Sequence, residues 1–328
     1  MILVTGASGM LGRAVATHLT AAGHPVRTLQ RRPAGVGGAE QVLGSVTDPA
    51  AVERAVEGVE AVIHLAAKVS LAGDPADFRR VNVEGTRVVL EAAARLGVRR
   101  LVYVSSPSVA HLGTSIVGAD AEPADPRRAR GPYARTKAAA EVLALAADAP
   151  SLRVVAVRPH IVWGPGDTQL VARVAARARA GRLPLLGHGA ALIDTTYVDN
   201  AASAIVAALN RLGDDDDVVH GRAYVVTNGE PRPVAEVLTG ICAATGAPAP
   251  AWRVPSGLAR LAGGAVEAVW RVWPGADEPP MTRFLAEQLS TAHWFDQRRT
   301  RADLRWVPSV SLDEGLRRLA AASSRGRG

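Results

Sequence analysis

The sequence predicts an α/β protein: a doubly wound parallel sheet followed by a smaller, mostly helical part. Three observations predict it. Short apolar runs alternate with amphipathic stretches through residues 1–165, the pattern of strands joined by right-handed helical crossovers. Gly6, Gly9 and Gly12 follow the first apolar run and open the first helix. Tyr133 and Lys137 stand four apart at the start of a later helix, so their side chains share one face.

Ile2-Leu3-Val4 reads as a buried parallel strand. Gly6 permits a tight turn, Gly9 lets backbone amides approach a pyrophosphate, and Gly12 lets the helix that carries Arg13–Leu19 sit close to the strand. The helix N-terminus adds partial positive charge. The spacing is Gly-x-x-Gly-x-x-Gly, not the commoner Gly-x-Gly-x-x-Gly. In a chain with 32 glycines a triplet alone says little. Its place between strand and helix points to a dinucleotide, held by Gly6, Ser8, Gly9, Met10, Leu11 and Gly12. Pro25–Gln30 is the second strand and ends at Arg31-Arg32, where such a sheet meets the adenosine ribose. An acidic residue there would suit NAD. Two guanidinium groups suit the 2′-phosphate of NADP, so NADP(H) is expected over NAD(H); a loop with two exposed arginines is the plainer alternative.

Gln41–Gly44 is a third strand, and Asp48-Pro49 caps a helix through Val56. Ala61–Ala66 is the fourth strand, apolar except for His64, with Leu65, Ala66 and Ala67 beside the cofactor. Phe78–Leu96 has helical spacing and ends at Gly97. Leu101–Val104 is the fifth strand and runs into Ser105-Ser106-Pro107-Ser108, at the carboxyl end where ligands bind. Ser106 is the candidate to hold a substrate oxygen. Ser105 and Ser108 are rivals, and turn chemistry is a further reading.

A phenol has a pKa of about 10, too high for free proton exchange near neutrality. A neighbouring ammonium favours the phenolate. Lys68 and Lys137 are the only lysines; a compact ammonium reaches both a ribose and a phenol where a guanidinium is too bulky. Val154–Val157 is the sixth strand, followed by Pro159, and Leu170–Ala180 is a helix. Asp199 reads as the cap of a helix over Ala201–Leu209; a catalytic acid is the sharper alternative. Gly213–Asp217 is an acidic surface loop without spaced ligands, so no metal site is expected. Ala223–Val226 returns to the main sheet. The apolar stretch Val254–Trp273 has three readings: core packing, a lid over a substrate channel, or a membrane-surface helix. The tail from Ser323 reads as disordered.

Thr5-Gly6-x-x-Gly9-x-x-Gly12, Ser105-Ser106 after a strand, and Tyr133-x-x-x-Lys137 together resemble the extended short-chain dehydrogenase/reductases, with a Rossmann-type fold. Arg158–Asp167, Asp194–Ala201 and Asn228–Pro231 are similar to the 3β-hydroxysteroid dehydrogenase and sterol-4-carboxylate dehydrogenase branch. Pro279–Leu285 and His293–Asp296 are similar to bacterial 2-alkyl-3-oxoalkanoate reductases of olefin synthesis. The resemblance implies an NAD(P)-dependent oxidoreductase acting on the secondary alcohol or ketone of a bulky hydrophobic substrate, of the 2-alkyl-3-oxo acid or the 3β-hydroxysteroid type. It implies that Tyr133 is the general acid/base, that Lys137 positions cofactor and tyrosine, and that Ser106 orients the substrate oxygen. Asn82 matches an asparagine near the proton relay, or is simply a polar helix residue. The backbone at Pro159 lines the nicotinamide pocket. Homodimerisation through the helices carrying Asn82 and Tyr133 is a further family expectation. One departure is Ser45, where the family often has an acidic residue near the adenine.

Two other functions are compatible with the fold class. A nucleotide-sugar epimerase or dehydratase is disfavoured, because Pro107-Ser108 stands in place of the dehydratases' Asp-Glu pair and Arg158–Ile161 lacks the sugar enzymes' asparagine. A non-catalytic NADP-sensing protein often loses the tyrosine or lysine, and this chain keeps both. The expected division is a cofactor domain over 1–165, rejoined by 192–228, with 166–191 and 229–328 forming the substrate-binding part.

Composition narrows the class. The chain has 328 residues and is 48% hydrophobic, enough for a substantial core. A single cysteine, Cys242, excludes an intrachain disulfide, Cys-only metal sites and CxxC redox chemistry. The net charge of +7 comes almost entirely from arginine, with no basic run interleaved with aromatics, so nucleic acid is not an expected partner and anionic small ligands are. No signal segment and no apolar run of about 18 residues is present. A cytoplasmic protein without a membrane span is expected, with peripheral membrane contact still open.

Overall fold

The computed structural model describes residues 1–70, 73–111, 113–214, 218–272, 287 and 289–325. The motif at 279–285, Trp273, residues 215–217 of the acidic loop and the last three residues lie outside the described residues.

β1 (Ile2–Thr5) is wholly buried and leads through the glycine turn into α1 (Met10–Ala21). The helix starts three residues ahead of Arg13, so Gly12 sits in its first turn. β2 (Val26–Gln30), β3 (Glu40–Leu43), α2 (Pro49–Val56) and β4 (Ala61–His64) follow. The Asp48 carboxylate caps α2 by accepting from the Ala50 N–H at 3.1 Å. The helix expected over 78–96 is not uniform. α3 (Pro75–Phe78) widens into a π-turn over Arg79–Glu84 before α4 (Gly85–Arg95). A π-turn accommodates an extra residue, and this one buries Asn82 to 1% exposure.

β5 (Arg100–Val104), β6 (Ile116–Ala119), α5 (Gly131–Ala146), β7 (Arg153–Pro159) and β8 (Val162–Trp163) come next. Pro159 closes β7 and does not follow it. Then come α6 (Val171–Arg179), β9 (Leu185–Leu186), β10 (Leu192–Ile193), β11 (Thr196–Tyr197) and α7 (Val198–Arg211). β12 (Ala223–Val226), β13 (Arg232–Pro233), α8 (Val234–Thr245), β14 (Arg253–Val254), α9 (Ser256–Val272) and β15 (His293–Phe295) precede two last helices, Arg298–Leu304 and Leu312–Arg325.

The main sheet is parallel with the order β12-β7-β5-β4-β1-β2-β3. α1 and α7 cover one face, where Val15, Leu19, Ile205 and Leu209 meet Val4 and Ile63. α2, α4 and α5 cover the other, where Val52, Val89 and Ala140 meet Leu3 and Val62. Strand order reverses beside β1, and that switch point opens a crevice at the carboxyl ends of the strands. A second sheet, β13-β10-β15-β6, brings Ile116, Ile193 and His293 side by side. No described helix is long and apolar enough to cross a membrane.

Three expectations are corrected. Residues 323–325 are not a disordered tail but the end of the last helix, where the Ser323 hydroxyl donates to the Leu319 carbonyl at 2.9 Å. α7 begins at Val198, so Asp199 lies inside its first turn and caps nothing; its carboxylate pairs with Arg318 at 3.1 Å. Core packing explains only part of α9. Ala259 is buried against Leu186, but Leu258 and Leu261 face outward at 59% and 75% exposure.

Candidate functional site

A cavity of about 2170 Å³ occupies the switch point. A pocket for one small molecule is roughly 300–1,000 Å³, so this one has room for a dinucleotide and a bulky partner. Its wall includes Gly6, Ser8, Gly9, Met10, Leu11, Gly12, Arg31, Arg32, Leu65, Ala66, Ala67, Ser106, Tyr133, Lys137 and Pro159. Of the sequence-derived candidates, only Asn82 is not on that wall.

The glycines do different work. Gly6 has φ +77°, and a Cβ there would stand 2.9 Å from the Ala66 nitrogen; a Cβ on Gly12 would stand 2.4 Å from the Gly6 carbonyl oxygen. Both contacts are too short for any side chain. At Gly9 a Cβ would meet only the Gly6 oxygen at 3.5 Å, an ordinary contact. The protein's own packing therefore leaves Gly9 free, and its missing side chain serves the cavity. α1 has no side-chain cap, which leaves its first-turn N–H groups for an anionic ligand. Arg31 and Arg32 are exposed beside the cavity. Ser45 is on the wall too, its hydroxyl 2.8 Å from that of Thr47. These features fit a dinucleotide phosphate chain.

Beneath the wall runs a hydrogen-bonded chain whose direction can be assigned. Thr5 Oγ1 accepts from the Leu65 and Ala66 N–H groups, each at 3.1 Å, so its proton goes to His64 Nδ1 at 2.8 Å. The Thr86 hydroxyl donates to the Asn82 carbonyl at 2.6 Å and accepts from His64 Nε2 at 3.1 Å. Burial pushes His64 down to about 3, so the ring is neutral. The chain fixes the backbone at Leu65 and Ala66. Asn82 continues it through its side chain: Oδ1 accepts from the Lys68 N–H at 2.7 Å, and Nδ2 donates to Lys68 O at 3.2 Å and to Thr136 Oγ1 at 3.0 Å. The amide is thus spent on tying the Lys68 strand end to α5. Asn82 therefore links the loop after β4 to α5.

Tyr133 and Lys137 lie on the cavity side of α5. The expected acidification of the phenol by the amine is not what the protein alone shows. Burial raises Tyr133, and the hydrogen bond from Ser106 opposes it. Lys137 Nζ donates to the Val104 carbonyl at 2.6 Å and sits 4.3 Å from the centroid of the Tyr103 ring. Burial depresses it to about 7, against the raising effect of Glu141. The physical reason is that two groups leave water together and both favour their neutral forms. Ser106 Oγ accepts from the Ser108 N–H at 3.3 Å and the Ser108 hydroxyl at 3.0 Å, so Ser108 supports Ser106. Ser105 is buried, and its hydroxyl has no hydrogen-bond partner among the described residues. α5 is held by a bidentate Arg158–Glu141 pair at 2.9 and 2.5 Å, each side chain 1% exposed. Such a buried pair orients more than it stabilises.

Sequence reasoning missed three imidazoles. His111, His160 and His293 also line the cavity. The His111 and His293 ring centroids are 4.6 Å apart, and those of His160 and His293 6.1 Å. No described residue of α9 lines the cavity.

Residues 2–226 match the NAD dependent epimerase/dehydratase family. The chain is 45% identical to a 2-alkyl-3-oxoalkanoate reductase of Stenotrophomonas maltophilia, over 98% of this chain and 99% of that protein. It is 39% identical to a protein of the same description from Shewanella oneidensis, over 97% and 85%. Among solved structures, MoeE5 in complex with UDP-glucose and NAD superimposes with a TM-score of 0.75 at 26% identity, over 100% and 99% of the two chains.

Proposed function

The chain belongs to the NAD dependent epimerase/dehydratase family, in the 3β-hydroxysteroid dehydrogenase-like branch of the extended short-chain dehydrogenase/reductases, and on that footing we propose that it is an NADP(H)-dependent ketoreductase for 2-alkyl-3-oxo acids. It is an oxidoreductase that moves a hydride between a nicotinamide and a secondary alcohol or ketone carbon. The observation that carries the reading is the placement of Ser106, Tyr133 and Lys137 on the cavity wall shared with the glycine loop. The relatives' names supply the substrate class, and the Arg31-Arg32 pair supports the phosphorylated cofactor.

The bound nicotinamide supplies the hydride. The chain's own residues do the rest. The first turn of α1 and Arg31 and Arg32 hold the phosphates; Leu65, Ala66, Ala67 and Pro159 frame the ring side. The Ser106 hydroxyl holds the carbonyl oxygen, with Ser108 fixing its orientation. The Tyr133 hydroxyl gives its proton to that oxygen on reduction and takes it back on oxidation. Lys137, near its midpoint at neutral pH, would hold a ribose hydroxyl of the bound cofactor, and its charged form would favour the phenolate of Tyr133. Residues 1–165 with 192–228 carry the cofactor, and the remainder shapes the substrate end.

The test is a titration with NADPH and NADH followed by a ketone panel. Long-chain 2-alkyl-3-oxo acids are expected to be reduced with NADPH. Thermal stabilisation by nucleotide sugars, with no ketone turned over, would reverse the assignment.

A further inference from the structure

Three imidazoles meet at the end of the cavity built by the second sheet. His111 follows the short turn Pro107–Val109, His160 follows β7, and His293 opens β15. Each is buried, and Ile116, Leu289 and Phe295 share that wall. None of the lysines and arginines on the cavity wall lies in the three segments that bring the histidines.

The hydrogen bonds assign the tautomers of two rings. His160 Nδ1 is 2.7 Å from the Asp194 carbonyl, which only accepts, so Nδ1 carries the proton and Nε2 a lone pair. The Thr291 hydroxyl donates to Glu287 O at 2.7 Å, so its oxygen accepts from His293 Nε2 at 2.9 Å. His293 Nδ1 is left with a lone pair, buried and without a hydrogen-bond partner among the described residues, on a residue 1% exposed. A buried acceptor without a donor is unfavourable, and it survives where something else makes use of it.

The backbone shows the same demand. Ile161 has φ +45°, a region that β-branched residues avoid. It is held there by the Thr196 N–H on Ile161 O, the Thr196 hydroxyl on His160 O, and the His160 N–H on Val226 O. The turn that aims His160 at the cavity is strained and pinned.

We propose that His160 and His293 form an acid-group subsite, which binds the substrate's carboxyl group with uptake of one proton. Carboxylate plus a proton from solvent gives a proton shared between an imidazole nitrogen and a carboxyl oxygen: one N–H or O–H bond forms and no other bond changes. The idea rests on the ketoreductase reading and adds where the acid group sits. Burial holds His160 near 4 and His293 near 3, so the empty pair is uncharged and the proton is taken up from solvent as the anion enters. The other titratable groups facing the pair are His111, Asp194, and the Arg130–Glu287 pair beside His111. Asp194 is held by the Thr227 hydroxyl and the Glu230 N–H, and Glu287 by Arg130 at 2.6 Å.

The experiment is calorimetric binding of a long-chain 2-alkyl-3-hydroxy acid and its methyl ester to the full-length protein, in two buffers of different protonation enthalpy. The acid is expected to take up close to one proton and the ester none, and acid affinity to weaken about tenfold per pH unit above neutrality. In His160→Gln and His293→Gln, the acid-over-ester preference is expected to fall at least tenfold. Equal wild-type affinity for acid and ester, no proton uptake, or variants losing both ligands alike would overturn the subsite. Should the variants not fold, the wild-type proton count decides. Turnover is not read, so failure here leaves the ketoreductase reading standing, and failure of that reading leaves the proton count interpretable.

Discussion

The two ends of the cavity are made of different materials. At the glycine end, specificity comes from atoms that are absent and from backbone: Gly6 and Gly12 permit close approach, and α1 offers uncapped N–H groups. The polar groups beneath, from Thr5 through His64 and Thr86 to Asn82, are all satisfied. At the histidine end, a short turn, the end of β7 and the three-residue β15 bring in buried imidazoles, and His293 Nδ1 has no hydrogen-bond partner among the described residues, next to a strained Ile161. At the glycine end the polar groups beneath the wall are paired before a ligand arrives, and only the first-turn N–H groups of α1 are left for it. The histidine end is finished by its ligand, and that is where substrate preference can change without disturbing the sheet.

The largest effect that would break this contrast concerns the boundary between the ends. Tyr133→Phe is expected to lower kcat by about 10²–10⁴-fold with the cofactor Kd unchanged; full activity in a stopped-flow assay would remove Tyr133 from the chemistry. Next comes acid sensitivity. His160 titrates near 4 folded and about 6.5 unfolded. Between those values the unfolded chain binds more protons, so stability falls as pH drops through that window. The loss is on the order of 3 kcal/mol for this residue. Denaturant midpoints at pH 7, 5.5 and 4.5 should show it, and His160→Gln should flatten the curve. At the glycine end, replacing Arg31 and Arg32 together by Ala should weaken NADPH about 10–100-fold and leave NADH nearly unchanged, by fluorescence titration. Gly12→Ala should cost about 1–3 kcal/mol and several degrees of Tm, whereas Gly9→Ala should keep the Tm and weaken the cofactor. Last, Leu261→Ser on the outer face of α9 should move stability by no more than about 0.5 kcal/mol; a large drop would mean that face is covered.

The same contrast decides what was legible in the chain. Long buried strands leave continuous apolar runs, and the glycine spacing and the four-residue step from Tyr133 to Lys137 are local. Those features could be read directly. His111, His160 and His293 are far apart in sequence, and strands of two or three residues are too short to show a period, so nothing local announces their meeting. Asp199 looked like a cap because Asp before an apolar run usually is one; its partner, Arg318, is 119 residues away. The state of Lys137 was misjudged because burial, which depresses it, is a property of packing and not of spacing.

The π-turn at Arg79–Glu84 makes one more demand. Asn82 points inward because that turn holds one residue beyond ordinary helical pitch. Substitutions there alter single contacts, but removing one residue would let the turn fall back to the ordinary pitch of roughly 3.6 residues per turn, with the flanking helices in register and the inward turn at Asn82 lost. Deleting one residue within 79–84 should therefore leave the chain folded and break the ties of Asn82 to Lys68 and Thr136, which a fall in thermal stability would report.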